Sequence, residues 1–240
     1  MFGLGAHKII GIDIGSHTLK FVEVNLKFGT SELVSFAVYP TPTGSVLNGE
    51  IVNINAIAVA ISKAIQDLKT SRVKVATAVA GSGVHIKKIS VAPMDKHLIG
   101  EHLKWEAEQY IPYPINEVNL AHHVLDLGAH SSETEVLLVA AKKELVARAA
   151  ECLVLADLEC AIVDVSPFAL ANCYDFNYGI SKPNPTILLN IGSSITNFVI
   201  TYKGQILLCR EIYVGGQTYT NEIQKQLGIS ASEAEILKLD

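Results

Sequence analysis

The chain alternates short apolar runs with amphipathic stretches, and this order predicts a mixed α/β protein. Apolar runs of strand length lie at residues 8–14, 19–25, 32–39, 73–80, 85–92, 120–127, 134–141, 158–165, 186–191, 195–202 and 205–212. Stretches with helical spacing of apolar positions lie at residues 55–69, 95–110, 142–156, 167–174, 215–227 and 230–240. The Pro- and Gly-rich residues 40–49 separate the first three predicted strands from the first predicted helix.

Changes in this pattern divide the chain into units. Residues 1–84 predict a first unit that begins with three strands, and residues 85–157 predict a small α+β subdomain inserted into it. Residues 158–184 return to the first unit. A polar, proline-containing link then leads to a second unit at residues 185–240, which again begins with three strands.

The strongest signal is an internal repeat. Residues 12–22 (IDIGSHTLKFV) match residues 189–199 (LNIGSSITNFV) at a constant offset of 177 positions. Each copy ends a buried strand with a carboxylate or its amide counterpart, Asp13 or Asn190, and continues with glycine and hydroxyl residues. One such hairpin is common, but two in register predict two similar units that face each other across a ligand-binding cleft.

The residue types in the two copies suit phosphate. Glycine lets the backbone approach an anion closely, and exposed turn amides and hydroxyls can hold phosphate oxygens. The candidates are Gly15 and Ser16 in the first copy and Gly192, Ser193 and Ser194 in the second. Asp13 could hold Mg²⁺, most readily through water, and Lys20 could reach a phosphate as a point charge.

Two later features could complete the site. Gly215 and Gly216 open a helix, whose first N–H groups are expected to be free for an anion, although an ordinary strand-to-helix turn would look the same. Glu235 and Lys238, three residues apart on the last helix, could contact a ribose or an adenine edge. Alone, such a pair is more often a solvated surface pair.

Composition and charge narrow the class of protein and the kinds of partner further. The chain has 240 residues, 49% of them hydrophobic, so it can bury a substantial core and fold without disulfide bonds or a structural metal. The net charge of −5 and the absence of a dense basic run argue against nucleic acid as a partner. The four cysteines form no Cys-x-x-Cys pair, which indicates buried thiols in a reducing, cytoplasmic compartment. No apolar run approaches the roughly 20 residues that cross a bilayer, so we expect no direct membrane insertion and membrane contact only through a partner.

These motifs together resemble the actin-like ATPase clan, and five further segments resemble the PilM family of type IV pilus assembly proteins. The segments are residues 105–114 (WEAEQYIPYP), 116–120 (NEVNL), 136–146 (VLLVAAKKELV), 164–170 (DVSPFAL) and 210–216 (REIYVGG). The resemblance implies an actin-like (ribonuclease H-like) ATPase fold with an inserted FtsA-type α+β subdomain. It also implies ATP or ADP with Mg in the interdomain cleft, and a cytoplasmic scaffold that lies peripherally at the inner membrane.

The implied partners are the N-terminal tail of a PilN-like inner-membrane protein and other pilus platform or motor proteins. An extended tail would lie in the groove between the first and the inserted units. By resemblance, the first phosphate site would be Asp13, Gly15, Ser16 and Lys20, and the second Gly192, Ser193 and Ser194. The residues on the other side of the nucleotide would be Gly215, Gly216, Glu235 and Lys238.

Two departures from the family pattern matter. Asn190 stands where the family usually has Asp, and an amide cannot order a Mg²⁺-bound or attacking water as a carboxylate does. We therefore expect at most a weak ATPase and predict no catalytic residue. Family members are also longer, so the second domain is expected to be truncated in this chain.

Two other functions remain open from the residues. A small-molecule kinase or an active ATPase of the same clan would need a positioned base near the γ-phosphate, and none stands out. An FtsA-like cell-division protein would need its own amphipathic membrane helix, which the 240 residues do not show.

Overall fold

The computed structural model describes residues 7–27, 30–70, 74–125, 133–179 and 184–239. In chain order the strands are β1 (His7–Ile14), β2 (Thr18–Lys27), β3 (Thr30–Pro40), β4 (Val46–Leu47), β5 (Glu50–Ile51), β6 (Lys74–Val79), β7 (Val84–Val91), β8 (Val118–Val124), β9 (Thr134–Lys142), β10 (Glu159–Val165), β11 (Thr186–Ile191), β12 (Thr196–Tyr202) and β13 (Gln205–Ile212). The helices are α1 (Ile54–Asp67), α2 (Lys96–Glu106), α3 (Lys143–Leu155), α4 (Ser166–Tyr178), α5 (Gly216–Leu227) and α6 (Ala231–Leu239).

The predicted helices and strands are all present, with ends that shift by a few residues. Helix α2 ends at Glu106 and continues as a 3-10 turn, Ala107–Gln109, and α4 runs four residues past its predicted end. The short hairpin β4–β5 lies in and just after the Pro- and Gly-rich residues 40–49, and the sequence pattern did not indicate it. The last two residues of the predicted strand 120–127 lie outside the described residues.

A five-stranded mixed sheet forms the first layer of the molecule. Its order is β10-β6-β1-β2-β3, with β1, β6 and β10 parallel and β2 and β3 antiparallel to their neighbours. One face packs against α1 and α3 because alternate strand residues and one stripe of each helix are apolar. The fully buried members of this core include Ile10, Leu19, Phe21, Ile57, Ile61 and Leu153.

Two smaller sheets carry the rest of the chain. The sheet β7-β9-β8 comes between β6 and β10 in sequence and packs against α2 around Ile99, Leu103 and Leu138. The sheet β11-β12-β13 packs against α4 through Ala171, Val199 and Cys209. Each helix within the described ranges is too short or too polar to cross a membrane.

Candidate nucleotide cleft

The two repeat copies fold into hairpins with the same backbone geometry. In the first, Asp13 pairs with Lys20 across β1 and β2, and in the second, Asn190 pairs with Asn197 across β11 and β12. The amide of Gly15 donates to the carbonyl of Thr18 at 3.1 Å, and at the matching positions Gly192 donates to Ile195 at 2.9 Å. The repeat seen in the sequence is therefore a repeat of hydrogen bonds.

Close backbone approach explains the glycine in each hairpin. A Cβ atom on Gly15 would lie 2.8 Å from the carbonyl oxygen of Thr18, and one on Gly192 would lie 2.7 Å from that of Ile195. Contacts that short with backbone are essentially not tolerated, so each turn is closed only because its first residue lacks a side chain.

The tips of the two hairpins touch. The hydroxyl of Ser16 lies 2.7 Å from the hydroxyl of Ser194, a hydrogen bond between residues 178 positions apart. The structure thus brings the two predicted phosphate sites together at one point. Hydroxyls and turn amides that converge in this way offer several donors to one anion.

The first hairpin carries the charges of the site. The ammonium of Lys20 lies 2.6 Å from the carboxylate of Asp13, and both side chains are about half exposed, at 52% and 60%. Thr41 supports the turn from beneath, because its hydroxyl donates to the carbonyl of Gly15 at 2.7 Å and its amide to that of His17 at 2.9 Å. Sequence reasoning missed Thr41, which lies in the loop after β3.

The donor set around Asp13 fits a water-mediated magnesium site. The described residues contain no group of three or more histidine, cysteine or acidic side chains that could hold a metal by themselves. Asp13 supplies one accessible carboxylate, and Asn190, at the matching place in the second hairpin, supplies an uncharged amide. Mg²⁺ commonly binds through one or two carboxylates together with substrate phosphates and water.

The turn before α5 packs directly on the second hairpin. The amide of Gly216 donates to the carbonyl of Gly192 at 2.9 Å, and the amide of Gln217 donates to that of Ser193 at 2.8 Å. The expectation that the first amides of this helix are free was therefore wrong for these two. The carbonyls of Gly192 and Ser193 cap the start of α5 and hold this helix against the second hairpin, so these two amides do not point freely into the cleft.

Glu235 and Lys238 join α5 to α6 rather than forming a solvated pair. Lys238 Nζ lies 2.6 Å from Glu235 Oε2, 3.0 Å from the Thr220 hydroxyl and 3.3 Å from the Gly216 carbonyl. The Thr220 hydroxyl also donates to Glu235. Hydrogen bonds from Lys238 and Thr220 lower the pKa of Glu235, and burial opposes this shift.

Glu211 is a further, partly buried acid that sequence reasoning missed. Its Oε2 accepts a 2.9 Å hydrogen bond from the amide of Gly81, which links β13 to the turn before β7 across 130 positions of sequence. Its Oε1 is buried and has no hydrogen-bond partner among the described residues. Burial raises the pKa of Glu211, and the bond from Gly81 opposes the shift.

The raised pKa of Glu211 predicts a stability effect with a definite sign. Because the folded pKa lies above the ordinary value of 4.5, this group favours folding most at low pH. Its contribution is lost as the pH rises from that value through the folded pKa. The variant Glu211→Gln keeps an acceptor for Gly81 but cannot ionise, so its free energy of unfolding should exceed that of the wild type increasingly from pH 4.5 to pH 8. Urea titrations of both proteins over that range measure the difference; a constant difference would contradict the assignment.

The order of the five-stranded sheet, the second sheet that begins with a matching hairpin and the cleft between them define an actin-like α/β protein. Comparison with known proteins is more specific. The family model "Type IV pilus assembly protein PilM" matches residues 11–240, and the chain belongs to this family.

Solved structures agree with that assignment. The structure of a PilM–PilN type IV pilus biogenesis complex aligns with a TM-score of 0.85 and 28% identity, over 98% of this chain and 69% of that chain. The ethanolamine utilization protein EutJ from Carboxydothermus hydrogenoformans aligns with a TM-score of 0.59 and 14% identity, over 99% of this chain and 63% of that one. The cytoplasmic domain of EpsL, an inner-membrane component of the type II secretion system of Vibrio cholerae, aligns with a TM-score of 0.52 and 10% identity, over 90% of this chain and 74% of that one. The last two share the fold alone.

Proposed function

We propose that this chain is a nucleotide-binding scaffold of a type IV pilus assembly complex, which binds the N-terminal tail of a PilN-like inner-membrane protein. The observation that carries the proposal is the likeness, over 98% of the chain, to a structure solved as a PilM–PilN complex. Such a scaffold works in the cytoplasm and reaches the inner membrane only through its partners. It also binds other pilus platform or motor proteins.

The nucleotide is ATP or ADP with Mg²⁺, and it lies in the cleft between the hairpins. The contact between Ser16 and Ser194 supports this placement, because it brings the two phosphate-binding turns to one point. Lys20 contacts a phosphate and Asp13 holds Mg²⁺ through water, while Glu235 and Lys238 lie toward the nucleoside. With the Asn190 amide in place of a carboxylate, hydrolysis is at most slow.

The unit boundaries at residues 84, 157 and 184 belong to the same proposal. The separate sheet β7-β9-β8, which lies between β6 and β10 in sequence, supports an inserted FtsA-type subdomain at residues 85–157. The hairpin repeat supports a second actin-like unit from residue 185.

The PilN-like tail binds in the groove between the first and the inserted units. A cavity of about 270 Å³ supports this placement. Its walls are Ile51 and Val52 beside hairpin β4–β5, Gly83 before β7, and Lys142 and Leu145 at the start of α3. Aliphatic walls with a charged rim suit an extended segment that anchors through side chains and keeps its backbone polar groups paired.

Isothermal titration calorimetry with Mg-ATP and the tail peptide, added in both orders, tests this function. We expect the peptide to bind with a dissociation constant in the micromolar range or tighter, and any change of that constant with ATP measures the coupling between the sites. Val52→Asp should abolish peptide binding and leave ATP binding unchanged, because Val52 is exposed and lines only the groove. Val59→Asp, on an exposed position of α1 outside the groove, is the matched control.

Two results would overturn the proposal. One is ATP turnover without peptide binding, which would indicate an active ATPase or a kinase. The other is peptide binding that Val52→Asp and Val59→Asp weaken equally, which would place the peptide elsewhere.

A further inference from the structure

Thr41 is held rigidly beside the first phosphate hairpin. It lies between Pro40 and Pro42, and a proline fixes its own φ and keeps the residue before it extended. The side chain of Thr41 is buried, and because it is branched at Cβ it has few rotamers open to it. A residue with so little freedom can fix the position of the groups that it binds.

The groups that Thr41 binds are two carbonyls of the turn. Its hydroxyl donates to the carbonyl of Gly15 at 2.7 Å, and its amide donates to the carbonyl of His17 at 2.9 Å. In a planar trans peptide, the C=O of one residue and the N–H of the next point in opposite directions. Since the Gly15 carbonyl faces Thr41, the amide of Ser16 faces away from it. Among the described residues, no acceptor binds that amide.

The second hairpin has the same arrangement, built from backbone groups. The carbonyl of Gly192 accepts from the amide of Gly216, and the carbonyl of Ser193 accepts from the amide of Gln217. By the same geometry, the amides of Ser193 and Ser194 face away from the start of α5. Within the part of the chain that the structure describes, these two amides also have no acceptor. In both hairpins, a neighbouring segment therefore holds the turn carbonyls and leaves the following amides free.

The orientation of these peptides decides whether a turn attracts or repels an anion. Amide N–H groups that point toward a phosphate oxygen bind it, whereas a carbonyl oxygen at the same place would repel it. Gly15 is conformationally permissive, so the peptide that follows it needs an outside contact to keep one orientation. The hydroxyls of Ser16 and Ser194 lie 2.7 Å apart, so the free amides of both turns lie near one point.

We propose that Thr41 is a positioning residue for the phosphates of the nucleotide. Its hydroxyl holds the peptide between Gly15 and Ser16 in the orientation in which the Ser16 amide donates to a phosphate oxygen. This role rests on the nucleotide binding proposed above and adds to it a residue outside both repeat copies. In the first hairpin the holding group is a side-chain hydroxyl, which a substitution can remove without changing the turn itself.

Two substitutions of Thr41 test this role by calorimetric titration of the whole chain with Mg-ADP. Thr41→Val has nearly the same shape but lacks the hydroxyl, so the Ser16 amide should lose its charge-assisted bond to phosphate. We expect at least about tenfold weaker binding of ADP. Thr41→Ser retains the hydroxyl, and its affinity should stay within about threefold of that of the wild type.

Thr77→Val is the matched control. Thr77 is also buried, and its hydroxyl donates to the carbonyl of Ile12 at 2.8 Å. Ile12 lies within β1, where pairing with β2 and β6 holds its peptides on both sides. Urea unfolding should show similar losses of stability for Thr77→Val and Thr41→Val. The affinity of Thr77→Val for ADP should nevertheless stay within about threefold of the wild-type value.

Amide proton signals separate positioning from a general loss of structure. In the wild type, saturating ADP should move the amide signals of Ser16, Ser193 and Ser194 downfield, because each forms a hydrogen bond to an anion. In Thr41→Val at saturation, the Ser193 and Ser194 shifts should persist, since α5 still holds that turn, and the Ser16 shift should be lost. Damage to the whole cleft would change all three signals together.

The outcomes distinguish this role from nucleotide binding itself. If the wild type binds ADP and Thr41→Val binds it as tightly, the role is wrong and the nucleotide site stands. The same holds if Thr77→Val weakens binding equally, or if Thr41→Val loses all three amide shifts together. If the wild type binds neither ADP nor ATP, the nucleotide site and the role of Thr41 are both wrong.

Discussion

Gly215→Ala is expected to lower the free energy of unfolding of the protein by about 3 kcal/mol, toward the upper end of overpacking effects. A Cβ atom at this position would lie 2.5 Å from the carbonyl oxygens of both Gly192 and Ser193. Both oxygens belong to backbone that is already held by hydrogen bonds from Gly216 and Gln217, so neither can move without breaking the helix cap. Nucleotide binding should be lost with the hairpin geometry. Urea unfolding and Mg-ATP titration measure the two effects.

Its neighbour provides the matched control. A Cβ atom on Gly216 would lie 3.4 Å from the flexible end of Lys238 and 3.9 Å from the Gly192 oxygen, so it fits after a small side-chain shift. Gly216 is also the first residue of α5, where alanine is the better helix former by up to about 1 kcal/mol. Gly216→Ala should therefore be neutral or stabilising. Equal losses in the two variants would show that the turn is not held by the hairpin carbonyls.

The repeat is the part of the fold that the sequence predicted best. A strand end, a glycine and hydroxyls recur at a constant offset, and both hairpins form with the same register and the same closing hydrogen bond. These are local features, since each hairpin is closed by residues three positions apart. Local steric rules act within such short segments, so one sequence suffices to predict them. The capping box at the start of α6 is local in the same way: the amide of Ser230 donates to the Glu233 carboxylate, and the amide of Glu233 donates to the Ser230 hydroxyl.

The features that the sequence did not predict depend on distant contacts. Hairpin β4–β5 has only two residues in each strand, too few for any periodic pattern, and Gly49 at its turn packs against Ile195 of the second phosphate hairpin. The role of Glu211 depends on Gly81, which is 130 positions away. A helix start gives free amides only when nothing caps it, and the caps of α5 come from a hairpin more than twenty positions earlier.

Lys20→Met is expected to weaken Mg-ATP binding by about 10- to 100-fold, because it removes a charge-assisted contact to phosphate, and to have a smaller effect without magnesium, where Asp13 holds Lys20. Methionine keeps the length of the aliphatic stem, and Lys20 is half exposed, so the fold should be retained. Asp13→Asn is expected to behave differently. In the structure Asp13 pairs with Lys20 at 2.6 Å, so removal of its charge frees Lys20 even without a metal.

The contrast between these variants shows how the site changes on binding. An ion pair this exposed contributes little and is easily broken, so Mg²⁺ at Asp13 can release Lys20 to the phosphates. The wild type should therefore bind ATP more tightly with magnesium than with EDTA. In Asp13→Asn that ratio should shrink, while affinity in EDTA rises a few-fold. If Asp13→Asn and Lys20→Met instead weaken binding equally in both conditions, the pair acts as a unit, and the exchange of Lys20 for Mg²⁺ on Asp13 does not occur.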